Sequence, residues 1–138
     1  MRKILILTHG DLCKGFNSAL AVITAGSNKA DTLSINADDN EKVVIDRLEN
    51  YINEFKEDQI IILTDIPFGS STQFAMKMLV EHNNLYIVTG INLALLLELI
   101  LGDDVDDINQ SIRNAIISSQ QTLLFINDQL DNDEANMG

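Results

Sequence analysis

Lys3-Ile-Leu-Ile-Leu-Thr-His-Gly10 is the stretch that decides the fold. Ile4 to Leu7 form an unbroken run of β-branched and leucine side chains. The run lacks the polar alternation of a strand with one face in water, so it reads as a strand buried on both faces, as in a parallel sheet. His9-Gly10-Asp11 closes it. Gln59-Ile-Ile-Ile-Leu-Thr64 repeats the signature, closed by the turn-rich loop Asp65-Ile-Pro-Phe-Gly-Ser-Ser71. Thr32–Ile35 and Leu85–Thr89 are shorter strand candidates.

Apolar residues at helical spacing fill the intervals. They are Phe16, Ala19, Leu20, Val22 and Ile23, then Val43, Val44, Leu48, Tyr51, Ile52 and Phe55, then Phe74, Ala75, Met78 and Leu79. Two more helices follow, one over residues 92–101 and one capped by Asp107 with Ile108, Ile112, Ala115 and Ile116 on one face. Strands separated mostly by helices give an α/β class fold, a doubly wound sandwich. Thr122–Ile126 reads as a fifth strand, which must pair with its own sheet or with a partner subunit. Asp128–Gly138 is acidic and without a period, so the expected organisation is one domain over 1–127 and an acidic flexible tail over 128–138.

The 138 residues carry 21 acids against 9 bases, a net charge of −12. Residues 98–138 hold 9 of the acids and only Arg113 as a base. No basic stripe forms, which argues against a nucleic-acid backbone or an anionic membrane surface as partner. The single cysteine, Cys13, excludes an intrachain disulfide and a multi-cysteine metal site. With no secretory signal pattern and no apolar run of spanning length, the chain reads as cytoplasmic.

In a doubly wound sheet, binding and chemistry gather at the carboxyl ends of the strands. His9 stands at the first of these ends, before a glycine and a helix start that favours a bound anion. A neutral imidazole there suits attack on a phosphoryl group; the competing reading is a capping histidine. Asp65 occupies the corresponding place after the second buried strand. On a neighbouring strand it would hydrogen-bond one imidazole nitrogen and aim the other at substrate; alone, it reads equally as a turn residue before Pro67. Thr64, Ser70 and Ser71 bring hydroxyls to the same rim, and the amides of Gly69 to Ser71 offer an anion nest, although a serine there also reads as a helix cap. His82 reads as structural, Cys13 as buried and inert, and Asp103–Asp107 as a solvated linker and cap. No Walker A or Gly-x-Gly-x-x-Gly pattern occurs, and no histidine–cysteine cluster has metal-ligand spacing, so neither cofactor nor metal is expected.

Thr8-His9-Gly10, Thr64-Asp65 with its glycine–serine loop, and Thr89-Gly90-Ile91-Asn92-Leu93, in this order, resemble the mannose-type enzyme IIA component of the bacterial phosphoenolpyruvate-dependent sugar phosphotransferase system over residues 1–126. The resemblance implies a four-stranded parallel sheet and a C-terminal antiparallel strand exchanged in a homodimer. It implies that His9 takes a phosphoryl group from the histidine-containing phosphocarrier protein and passes it to enzyme IIB, which serves a membrane permease. Asp65 would orient the ring, with Thr64 and Ser70 near the anion. The chain departs from the family pattern Asp-x-x-Gly-Gly-Ser-Pro, with Phe68 in place of the first glycine and Ser71 in place of the proline. Two other expectations stand beside this one: a regulatory phosphohistidine domain controlling a regulator or kinase, and a non-catalytic dimer scaffold.

Overall fold

The computed structural model describes residues 1–104 and 107–137, with 132–137 described by main chain alone. Four strands, β1 (Arg2–His9), β2 (Asp31–Ile35), β3 (Gln59–Thr64) and β4 (Leu85–Thr89), alternate with α1 (Leu12–Ile23), α2 (Glu41–Glu54) and α3 (Ser70–Met78). The helices α4 (Leu93–Leu101), α5 (Ile108–Gln120) and α6 (Ile126–Met137) complete the chain. All strand pairs are parallel, in the order β2-β1-β3-β4.

The absence of polar alternation in β1 and β3 has its physical cause here, because both sheet faces are covered. Ile6 of β1 and Ile61 and Leu63 of β3 face a core completed by Leu20 of α1, Leu95 and Leu96 of α4 and Ile112 of α5. Leu5 and Leu7, with Ile60 and Ile62, face the opposite core, formed with Val44, Leu48 and Ile52 of α2 and Ala75 and Met78 of α3. The register places Leu5 opposite Ile62 and Ile6 opposite Leu63, so each core layer runs continuously across the two central strands. Each large side chain buried in this way contributes about 1.5–3 kcal/mol by leaving water.

β1 lies between β2 and β3, so the chain leaves β1 toward one side and returns on the other. This reversal opens a crevice at the carboxyl ends of β1 and β3, where open α/β sheets bind ligands. Gly10, with φ of +56°, makes the sharp exit from β1 and donates its N–H to the Ile35 carbonyl at 2.8 Å.

The C-terminal segment departs from the sequence reading. Thr122–Ile126 is not a strand: Gln121 and Thr122 form a turn, residues 123–125 have no regular structure, and Ile126 begins α6. The apolar run does not join its own sheet, whose four strands are the ones named above. The expected acidic tail is helical over Ile126–Met137, and Gly138 lies outside the described residues. Of the Asp103–Asp107 linker, residues 105–106 are likewise outside them, while the Asp107 carboxylate caps α5 by accepting from the Gln110 N–H at 3.3 Å. No helix among the described residues is long and apolar enough to cross a membrane.

Candidate functional site

β1 ends in His9 and β3 ends one residue before Asp65, so the parallel pairing that aligns Leu7 with Thr64 delivers both side chains to one rim. The His9 ring Nδ1 lies 2.8 Å from Asp65 Oδ2, and the His9 backbone N–H donates to that same oxygen at 2.9 Å. The other carboxylate oxygen, Oδ1, accepts from the Ser71 hydroxyl at 2.6 Å and the Ile66 N–H at 3.1 Å. Burial works to raise the Asp65 carboxyl pKa. The hydrogen bonds from Ser71 and from the backbone and ring of His9 outweigh it and hold the group at about 2.

A carboxylate accepts and does not donate, so the nitrogen facing it carries the proton and the tautomer is Nδ1–H. The lone pair then resides on Nε2. Ser70 places its hydroxyl 3.1 Å from Nε2, and the imidazole remains 46% exposed. Ser70 is the first residue of α3, whose N-cap is Gly69 and whose end has no side-chain cap. The leading N–H groups of a helix have no intrahelical acceptor, so this end favours an anion on the side of Nε2. Gly69 is set by close approach: a Cβ there would stand 2.7 Å from His9 Cε1 and 3.0 Å from Ile66 Cγ1.

The structure therefore brings His9, Asp65, Gly69, Ser70 and Ser71 together. Ser71 is fully buried and bonded to Asp65, so its hydroxyl is not presented at the rim. Thr64 is also fully buried, its hydroxyl 2.7 Å from that of Thr72. Thr72 did not stand out in the sequence, yet its hydroxyl reaches the Ile66 carbonyl at 2.6 Å and the Thr89 hydroxyl at 3.2 Å. It thereby ties the loop over the site to the ends of β3 and β4. Its only sequence signal is a threonine in the first turn of a helix, a common local feature.

The start of α1 is less open to an anion than its position suggests, because Thr8 accepts from the Cys13 N–H at 2.8 Å. Cys13 is buried, as expected, with Sγ 3.3 Å from the Ser34 hydroxyl. Phe68 has an ordinary backbone angle and projects its ring into solvent at 92% exposure. His82 pairs with Glu49 at 3.1 Å beyond the far end of α3. Glu81 joins them in a group whose ligand atoms lie within 4.8 Å of one another, away from His9.

A sequence profile of the mannose-type enzyme IIA family, described as PTS system fructose IIA component, matches residues 3–116. The chain belongs to this family. A search of curated proteins by sequence returns no match. Among solved structures, phosphotransferase system component EIIA from Streptococcus agalactiae superposes with a TM-score of 0.83 at 24% identity, over 93% of this chain and 99% of that one. The PTS IIA protein associated with the fucose utilization operon of Streptococcus pneumoniae gives 0.76 at 28% identity, over 94% and 96%. A sigma-54 interaction domain protein from Enterococcus faecalis gives 0.68 at 20% identity, over 88% and 96%, a likeness of fold. Membership in the enzyme IIA family implies a phosphoryl-carrier role in sugar uptake, as a transferase component working with phosphocarrier and enzyme IIB components.

Proposed function

We propose that His9 Nε2 is the phosphoryl acceptor and donor atom of this enzyme IIA protein. In this reading the group arrives from the phosphohistidine of the histidine-containing phosphocarrier protein and leaves to enzyme IIB. The observation that carries it is the Nδ1–Asp65 hydrogen bond of 2.8 Å, which leaves the Nε2 lone pair at the rim. The lone pair attacks phosphorus as the donor's nitrogen–phosphorus bond breaks and that electron pair returns to the donor imidazole. The proton on Nδ1 stays in place, and Asp65 balances the positive charge that the ring acquires. The Ser70 hydroxyl, which faces Nε2 in the unmodified protein, turns to donate to a phosphoryl oxygen, and the start of α3 supplies further N–H groups. Thr64 supports the rim from below through Thr72.

Purified protein incubated with the phosphorylated phosphocarrier gains one acid-labile, base-stable phosphate on His9. Labelling of a folded His9→Ala protein would overturn the assignment.

We also infer a homodimer, with residues 122–126 as its binding element. Leu123 at 93%, Phe125 at 65% and Leu124 at 52% exposure form an apolar strap without regular structure. Such a strap gains both burial and backbone pairing by adding to a second copy. Light scattering at micromolar concentration reads a dimer for the native chain and a monomer for Phe125→Glu; a native monomer would end this reading.

A further inference from the structure

Ser71 is buried as the second residue of α3, and its hydroxyl makes a short, charge-assisted bond to Asp65 Oδ1 at 2.6 Å. The Asp65 carboxylate accepts four hydrogen bonds, two per oxygen: Ser71 and Ile66 on Oδ1, and the His9 backbone and ring on Oδ2. That number fills the acceptor sites of a carboxylate, so protonating the group means breaking one of them. Of the two bonds on Oδ1, the Ile66 N–H is the longer, at 3.1 Å, and comes from the adjacent residue. It follows the carboxylate as the loop moves. Ser71 is anchored in a helix packed on the sheet, and its hydroxyl is the contact that holds Oδ1 from outside the loop, as His9 holds Oδ2.

We propose that Ser71 is a positioning residue that holds Asp65 ionised and turned so that Oδ2 meets His9 Nδ1, which keeps the proton on Nδ1 and the reactive lone pair on Nε2. The inference rests on His9 being the carrier residue. It assigns to Ser71 a role other than contact with the transferred group, because its hydroxyl is buried and faces Asp65. Proline, which the family pattern places here, has no hydroxyl to offer, so this contact is a property of the present chain.

Several charged groups on the elements around the site are paired elsewhere. Asp11 pairs with Lys14 at the start of α1, Asp39 with Arg47 beyond β2, and Lys77 of α3 with Glu41 of α2. Asp38, in the same turn as Asp39, is bonded to neither His9 nor Asp65. The bonds that decide the state of the Asp65 carboxylate are thus those from Ser71, Ile66 and His9.

The experiment compares native protein with Ser71→Ala, Ser71→Cys and Ser71→Thr in the full chain. It reads the His9 imidazole nitrogen shifts by NMR across pH and single-turnover phosphoryl transfer from the phosphocarrier across the same range. Ser71→Ala is expected to move part of the ring population to the Nε2–H tautomer, shift the acid limb of transfer upward by about one pH unit and slow transfer about tenfold at neutral pH. Ser71→Thr, which keeps the hydroxyl, restores the native tautomer and pH profile. Thermal unfolding establishes that each variant is folded. If Ser71→Ala does not fold, Ser71→Cys, a weaker donor of similar size, is read in its place. A folded Ser71→Ala or Ser71→Cys protein with native tautomer and native pH profile would overturn the proposal. Absence of phosphorylation in the native protein would instead overturn the carrier reading, while the imidazole titration would still decide whether Ser71 governs the ring.

Discussion

Nδ1 of His9 and Oδ2 of Asp65 lie 2.8 Å apart, although fifty-six positions separate the residues in the chain. The parallel pairing of β1 and β3 creates this contact, with His9 the last residue of β1 and Asp65 the residue after β3. The bond determines which imidazole nitrogen is free to react, so its removal is the most direct test of the site.

Asp65→Asn preserves size and the ability to accept from His9, but it removes the charge that balances a phosphorylated imidazolium. Phosphoryl transfer is expected to fall by about 100-fold or more while the fold persists, since a misassigned tautomer and an unbalanced cation both raise the barrier. Rapid-quench transfer from the phosphocarrier, with circular dichroism as the fold control, measures this. A native rate would remove Asp65 from the mechanism.

Acid stability provides a second test. The Asp65 carboxyl sits at about 2 in the folded protein, below its ordinary value of 3.8. A depressed folded pKa means that the charged form is the one stabilised by folding. Its contribution is complete above pH 4 and is lost as pH falls from about 4 toward 2. The full difference amounts to about 2 kcal/mol. Denaturant titrations of native and Asp65→Asn proteins should therefore converge as pH drops through that window. A gap that stays constant would show that the carboxylate's bonds add nothing to folding.

Gly69→Ala tests close packing over the ring. Its backbone φ of −100° suits alanine, so the effect comes from collision and not from strain. The added methyl would lie 2.7 Å from His9 Cε1. Either the ring or the loop has to shift, costing about 1–3 kcal/mol as other overpacked sites do. Transfer should slow about 10- to 100-fold through misplacement of Nε2. Thermal unfolding and single-turnover rates together measure both effects, and a native rate with native stability would contradict the packing described.

Phe68→Ala separates binding from folding. The ring is 92% exposed, so its removal should change stability by less than about 0.5 kcal/mol. A partner that brings its own phosphohistidine to covalent distance of Nε2 covers the neighbouring loop and buries this aromatic surface. The expected result is a raised KM for the phosphorylated partner with kcat nearly unchanged. Equal KM values for the two proteins would place Phe68 outside the docking surface.

Much of this architecture was legible because it depends on local composition. The apolar runs at Ile4–Leu7 and Ile60–Leu63 can be satisfied only between two covered faces, and the ends read for the third and fourth strands coincide with β3 and β4. His9 and Asp65 were legible as strand-end polar residues. Thr122–Ile126 forms no strand within the single chain, because strand-like composition does not by itself supply a partner and the segment joins none of the four strands. Residues 128–137 looked aperiodic, yet they lie in α6; helix formation there does not require the apolar stripe that the reading sought. The roles of Ser71 and Thr72 were hidden for a different reason. Sequence places a hydroxyl in a helix's first turn, but the side to which it turns depends on what the sheet has brought beneath it.

The double contact on Asp65 Oδ2 has a further consequence. By gripping the backbone N–H and the ring of His9 together, one oxygen holds the imidazole in a fixed pose before any partner arrives. In the carrier role proposed for His9, cargo has to be released as readily as it is taken up, and both hand-overs would use one nitrogen. With the ring fixed in advance, neither direction requires it to swing into place, so most of the rearrangement falls to the incoming and outgoing partners. Net flow through such a relay follows the relative phosphorylation of those partners, with no preferred direction built into the ring itself.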